Sequence, residues 1–494
     1  MTYYEPSVPD AALYCGTTEA EQLARCPVQF YEVGSAGIGS LGTVDRYQAN
    51  AQATWVLDLP SVLGFNVLKA GVDAEHLDSE QVRSLFRNSG NSPIERKSQY
   101  GRDTLGGFVQ DSWTLANRVT LNAGVRYDAQ WLNTPMDPRT FVLGQQFSPR
   151  VGLVVDPLAT GSMKFFANYG KYRGQMPLDL LNGIFPTFSG LESVDPGLLP
   201  PSSSELVVGA GFEVRPRLRL FATYTHRELD SVIENLDRGD GISPSFLGNP
   251  GLGLARDFPK AERTHDAVTV ALSRTFADGW FAQASYTWSR LYGNYAGTFR
   301  PGLGWGEPVL RSDFDFPSSL ANRTGPLPND RTHAVEVFGA RQFSFTRELS
   351  ASLGLSYRGL SGTPINYLGA HPRSGMGETF VLPRGSTGER TPWVHTVDSN
   401  LGVSYRLAGQ KVVSLTLEAF NVFNFQAVTR VNEHYTYAHV LPLEARMAPG
   451  ALTPDRVQRT NGTPLTASDV NPEFLKPTQY QPPRQVRIGL RYTF

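Results

Sequence analysis

The chain has 494 residues, of which 18% are charged and 11% aromatic, with 48 glycines, 35 prolines and a formal net charge of -1. Such a length exceeds one ordinary soluble β domain and calls for several domains or one very large barrel. Near-neutral charge gives no basic field for nucleic acid, and the absence of any long apolar run excludes a transmembrane helix but not transmembrane strands.

Met1 is followed by Thr-Tyr-Tyr-Glu-Pro, without a basic segment, an apolar segment or a small-residue cleavage site. No secretory signal is therefore visible, and a surface protein starting here is expected to be part of a longer product. Cys15 and Cys26 lie in a polar, proline-flanked stretch. In an oxidising compartment they could close a short loop, worth about 3 kcal/mol if unstrained. The other reading is two unrelated thiols.

From there the chain alternates apolar and polar residues in about fifteen segments, fourteen of them paired. The pairs are 43–58 with 64–77, 103–114 with 117–131, 149–156 with 161–172, 204–214 with 217–230, 264–276 with 279–292, 331–343 with 347–359, and 395–406 with 411–424. Within pairs the connections are short and carry turn formers such as Asp156-Pro157 and Asp278-Gly279. Between pairs they are long and rich in Pro, Gly, Asn and aromatics: 173–203, 231–263, 293–330, 360–394 and 425–484 are the longest. In an up-and-down sheet this parity puts every short turn at one end and every long loop at the other, as in outer-membrane barrels. Aromatics near strand ends, among them Trp113, Tyr127, Trp131, Tyr286, Trp288, Tyr405 and Phe423, fit interfacial girdles.

The last segment is the cleanest. Val486, Ile488, Leu490, Tyr492 and Phe494 alternate with Gln485, Arg487, Gly489, Arg491 and Thr493. One face is apolar, the other carries two arginines, and ten residues suffice for a tilted strand to cross a bilayer. The fold expected is all-β: an antiparallel up-and-down transmembrane β-barrel.

The pattern Arg487, Gly489, Tyr492, Phe494 resembles the assembly signal by which outer-membrane barrels are recognised by the barrel-assembly machinery. Several phrases are similar to the barrel of TonB-dependent receptors of the Oar-like type. They include Phe108 to Trp113 with Gln110, Asp111 and Trp113, then Gly124 to Tyr127, Phe166 to Gly170, Ser285 to Arg290, Asn329 to His333, and Ala419 to Asn424 with Asn421, Phe423 and Asn424. Their order is more specific than any one phrase. The resemblance implies residence in the outer membrane of a Gram-negative bacterium, contact with outer-membrane lipid, and import of a large or scarce substrate (siderophore, oligosaccharide or peptide). It also implies a plug domain energised by the TonB complex.

Barrels of that family have 22 strands around a plug, so fifteen segments leave seven strands and the plug unaccounted for. Residues 1–42 are then expected to be an extracellular loop remnant and 43–494 the C-terminal portion of the barrel. An open sheet leaves two bare edges in lipid, and a truncated or split gene is inferred. A surface adhesion or scaffold protein is the alternative from another class, and a passive pore a weaker third.

No metalloprotease, nucleophile-elbow or phosphate-loop signature is present, and neither an enzyme nor a cofactor is expected. His434 and His439 beside Glu433, and Asp313 with Asp315, are conceivable metal ligands; solvated loops are the simpler reading. Asp330, Arg331 and His333 read as rim residues where the chain re-enters a strand.

Overall fold

The computed structural model describes residues 3–4, 31–32, 38–58, 64–85, 94–134, 137–176, 193–238, 246–297, 314, 317–371, 378–407, 409, 411–443 and 452–494. Cys15, Cys26, Asp313 and Asp315 lie outside these residues.

Fifteen consecutive antiparallel strands form one continuous wall. They are β1 (Ile38–Asp58), β2 (Phe65–Leu85), β3 (Ile94–Leu115), β4 (Val119–Thr134), β5 (Asp137–Val155), β6 (Met163–Arg173), β7 (Ser202–Arg215) and β8 (Leu218–Ser231). The path continues through β9 (Arg263–Ala277), β10 (Trp280–Gly293), β11 (His333–Ser344), β12 (Leu349–Leu360), β13 (Val394–Arg406), β14 (Val412–Phe420) and β15 (Gln485–Thr493). Each strand pairs with its sequence neighbour, so the topology is up-and-down throughout. Among the described residues no ladder joins β1 to β15. From β5 onward short turns and longer loops alternate as expected, but on the loop side β4 and β5 are joined by residues 135–136 alone. At the β9–β10 turn, Asp278 (φ 52°) and Gly279 (φ 78°) both take positive φ, the geometry of a two-residue hairpin matched to strand twist.

Two boundaries differ from expectation. β1 begins at Ile38, so 38–42 belong to the wall and not to a loop. The first strands are also far longer than a bilayer needs: β1 and β2 have 21 residues each, β3 has 22 and β5 has 19. The stretches 78–102 and 132–148, expected as connections, are largely ladder. Beyond the membrane no lipid demands one continuously apolar face, so the regular hydrophobic alternation stops while the hydrogen bonding continues. Period two reports burial on one face, not extended backbone as such.

One face of the wall is apolar and bare. Val268, Leu355, Leu415 and Ile488 are exposed, the last at 75%. Aromatics bracket this face at two levels: Tyr405, Tyr492 and Phe494 lie at the turn end, and Tyr286, Trp288 and Phe423 toward the loop end. Trp393, the residue before β13, and Tyr405 on β13 are twelve positions apart, about 40 Å along an extended chain at about 3.3 Å per residue. At a tilt of about 40° this spans about 30 Å vertically, the thickness of a hydrocarbon core.

The packed cores lie elsewhere, in the loop layer. Tyr100, Leu132 and Leu143 on the strand extensions meet Met176, Leu198, Ile233 and Leu247. Phe246, Phe258, Tyr295 and Phe314 belong to a second cluster, and Val381, Val440 and Val457 to a third. Small sheets stiffen this layer: Ser193–Val194 with Phe246–Gly248 and Glu234–Leu236, and Glu378–Phe380 with Leu368–Ala370, His434–Leu441 and Gln458–Arg459. The described parts of the long loops are thus folded, burying apolar side chains that a single loop could not cover.

Candidate functional site

The polar face of the wall is built from the positions between the apolar ones. Glu418 stands opposite Arg487, and Asn400 Nδ2 donates to Glu418 at 3.3 Å. Thr269 and Thr287 share a hydrogen bond of 2.9 Å. Charges here pair across strands, Arg126 with Asp73 (2.8 Å), Arg227 with Glu205 and Arg358 with Glu336 (3.0 Å), and along one strand, Arg126 with Asp128 (2.6 Å). A charge-balanced, wettable wall suits a lumen and is ill suited to lipid.

Near the loop end, a buried ion cluster ties the wall to the chain leaving β6. Arg102 Nη2 donates to Glu75 Oε1 (2.7 Å) and Gln175 Oε1 (2.9 Å), and its Nη1 to the Met176 carbonyl (2.9 Å). Gln130 accepts from the Met176 amide at 3.0 Å. Loop joins loop in the same manner. Asn322 Nδ2 donates to the carbonyls of Phe380 (3.1 Å) and Leu443 (2.7 Å), and the Asn366 amide donates to Glu433 Oε1 (2.7 Å).

Burial pushes the Glu433 carboxyl above its ordinary value of 4.5, and the nearby Glu378 adds to this. An acid whose folded value is raised binds protons more tightly in the folded state, so the loop layer gains stability as pH falls through that raised value toward 4.5. Glu433→Gln should therefore unfold at a higher temperature than wild type at about pH 7.5, with the gap shrinking at about pH 5. Thermal melts of the two proteins at both pH values check this. Asp469 is the opposite case. Arg459 and Thr466 hold its carboxyl well below the usual range, so its contribution is lost only as pH falls through that low value. Tyr367, half-buried and donating its hydroxyl to Glu389 (3.1 Å), is pushed up to about 12 by its partial burial and that carboxylate.

The structure sorts the residues singled out by sequence. Gln110 lies on the polar face opposite Gly124, whereas Asp111 and Trp113 share the apolar side with Val109. Asn421 and Asn424, at φ 50° and 54°, turn the chain out of β14. Asn421 Nδ2 donates to the carbonyls of Phe425 (2.8 Å) and Pro482 (3.0 Å), and Asn424 Oδ1 accepts from the Arg484 amide (2.9 Å), so the pair also sets the entry to β15. Phe423 is exposed at the rim, its ring tilted against that of Phe425. Arg487 and Gly489 face the polar side, and Tyr492 stacks on Phe494 on the apolar side. Asp330 pairs with Arg390 (2.5 Å) and accepts from the Leu291 amide (2.6 Å), as a rim residue should. His434 lies 3.6 Å from Glu378, and His439 Nδ1 lies 2.6 Å from the His371 carbonyl. Among the described residues no three His, Cys, Asp or Glu converge on a metal position.

A row of rings was missed by sequence reading. Tyr286, His333, Trp393, His395 and Tyr357 follow one another at about 6 Å across β10 to β13, nearly parallel. Each histidine is fixed by a tyrosine hydroxyl, Tyr286 to His333 (2.9 Å) and Tyr357 to His395 (3.0 Å). The alternate positions 393 and 395 were the available signal.

The sequence profile of the TonB dependent receptor-like, beta-barrel family matches residues 20–424. The TonB-dependent transporter Oar of Myxococcus xanthus is 44% identical over 574 aligned residues, covering 97% of this chain and 54% of Oar. The chain therefore spans about half the length of the curated relative it matches. Among solved structures, the ferric preacinetobactin receptor BauA of Acinetobacter baumannii superposes with a TM-score of 0.54 at 10% identity, over 80% of this chain and 53% of BauA. The ferric citrate transporter FecA gives 0.53 at 9% identity, over 93% and 56%. Both show the fold alone. The protein is a member of the TonB-dependent receptor β-barrel family, a family of outer-membrane transporters and receptors of Gram-negative bacteria and not of enzymes.

Proposed function

We propose that this chain supplies wall and loop layer to a TonB-energised importer of a solute too large or too scarce for passive pores. The observation that carries this reading is the pairing of a charge-balanced polar wall with a folded loop layer at one end. Open pores need no such packed covering, and an adhesin would not need a wettable lumen face. Siderophore, oligosaccharide and peptide are the substrate classes in view. TonB itself would act through a plug domain, and the segment Arg487, Gly489, Tyr492, Phe494 would be read by the barrel-assembly machinery.

The test is uptake of labelled members of the three classes in cells lacking this gene and in cells lacking TonB. Uptake of one class should fall in both strains. Unchanged uptake together with lost cell cohesion would instead establish the surface-adhesion reading.

A further inference from the structure

We infer that the recess around Arg150 on the polar face is a binding site for a carboxylate-bearing small solute. The recess, about 690 Å³, lies between β3 and β7. The strand register explains why it is hollow. Arg150 stands opposite Gly124 on one side and Gly170 on the other, so both of its neighbours along the row lack side chains. A Cβ at Gly124 would meet the Gln110 Cβ at 2.7 Å, so that position cannot carry one as the wall stands, and one at Gly170 would meet the Tyr172 hydroxyl at 3.0 Å and push against the ring.

Into this hollow Arg150 presents a guanidinium lying over the Tyr172 ring, 4.9 Å from its centre. Of the carboxylates around it, Glu205 is engaged by Arg227 and Asp73 and Asp128 by Arg126, while Asp111, which also borders the recess and whose Oδ1 has no partner among the described residues, lies on the opposite side of β3. Among the described residues Arg150 has no acidic partner. Asn122 and Asn168 add neutral amides to the lining. One planar fork on an aromatic face, with amides beside it and no second uncommitted cation in the lining, matches a single flat carboxylate group better than a tetrahedral phosphate.

This assignment rests on reading the lumen as a solute passage, yet it is tested by binding alone, so it can fail while uptake stands, and the reverse. The probe is glutarate, with glutaramide as its uncharged counterpart. The full chain, purified in detergent, is treated with the arginine reagent phenylglyoxal, and modification is read peptide by peptide. Glutarate at ten times its Kd should slow modification of Arg150 about tenfold, leaving the exposed Arg347 in the β11–β12 turn unchanged; glutaramide should do nothing. The heat of glutarate binding should vanish in Arg150→Gln, whose exposed position makes misfolding no concern. Equal protection of both arginines, protection by glutaramide, or none would overturn the site. So would an Arg150 inert in native outer membranes without added solute but reactive in the purified chain, because the carboxylate would then come from a polypeptide.

Discussion

Replacing Arg102 with methionine is expected to destabilise the loop layer by about 3–5 kcal/mol, the usual cost of removing one partner from a buried ion pair. The Arg102 and Glu75 side chains are only 8% and 6% exposed. Arg46 holds the other Glu75 oxygen at 2.5 Å but is itself 56% exposed, and screens less than it would if buried. Methionine keeps most of the packing, so the loss is one of charge and hydrogen bonds. Besides leaving Glu75 with only the exposed Arg46 as a partner, it frees Gln175 and the Met176 carbonyl from the wall. Arg102→Lys should recover only part of the loss, since an ammonium cannot span Glu75 and Met176 as a planar fork does. Urea unfolding of wild type and both variants, followed by protease cleavage within the loops, measures the effect. A change below 1 kcal/mol would show that the cluster is not what fastens the chain after β6 to the wall.

Replacing Tyr492 and Phe494 together with serine is expected to cut the amount of protein reaching the outer membrane by tenfold or more. Both rings lie on the apolar side of β15, Phe494 with 92% of its surface bare. Sinking one such ring into lipid is worth about 1.5–3 kcal/mol, roughly tenfold to a hundredfold in partition. Their proposed role in recognition by the assembly machinery adds to this. The polar-face change Arg491→Gln should have little effect by comparison, because that side chain faces water. Membrane fractionation and quantitation of the three proteins decide it, and equal amounts in all three would remove both the lipid-contact and the recognition role from this strand.

The wall was legible in the sequence because lipid on one side and water on the other impose a period of two. Residues Leu415, Leu417 and Ala419 against Thr416 and Glu418 illustrate it, as does the alternation of short turns with long loops. Loops were not legible for the opposite reason. Val381, Val440 and Val457 share a core although nearly eighty residues separate the first from the last, and no local pattern records such a contact. Arg102 and Glu75 looked like ordinary polar positions, because their burial depends on what the chain after β6 does. The recess at Arg150 is invisible for a related reason: glycines 124 and 170 are far apart in sequence and become neighbours of Arg150 only through register. His333 was read as a rim residue and holds that place, but the ring row it joins needs four strands to assemble.

The face of the wall that meets lipid is tested most directly by nitroxide scanning along β14, from Val413 to Ala419, in reconstituted membranes. At each position the accessibility to oxygen, which concentrates in lipid, is compared with that to a water-soluble nickel chelate. Oxygen should dominate at 413, 415, 417 and 419, and the nickel complex at 414, 416 and 418. Uniform exposure to the nickel complex, or alternation in the opposite phase, would contradict a transmembrane wall with these faces.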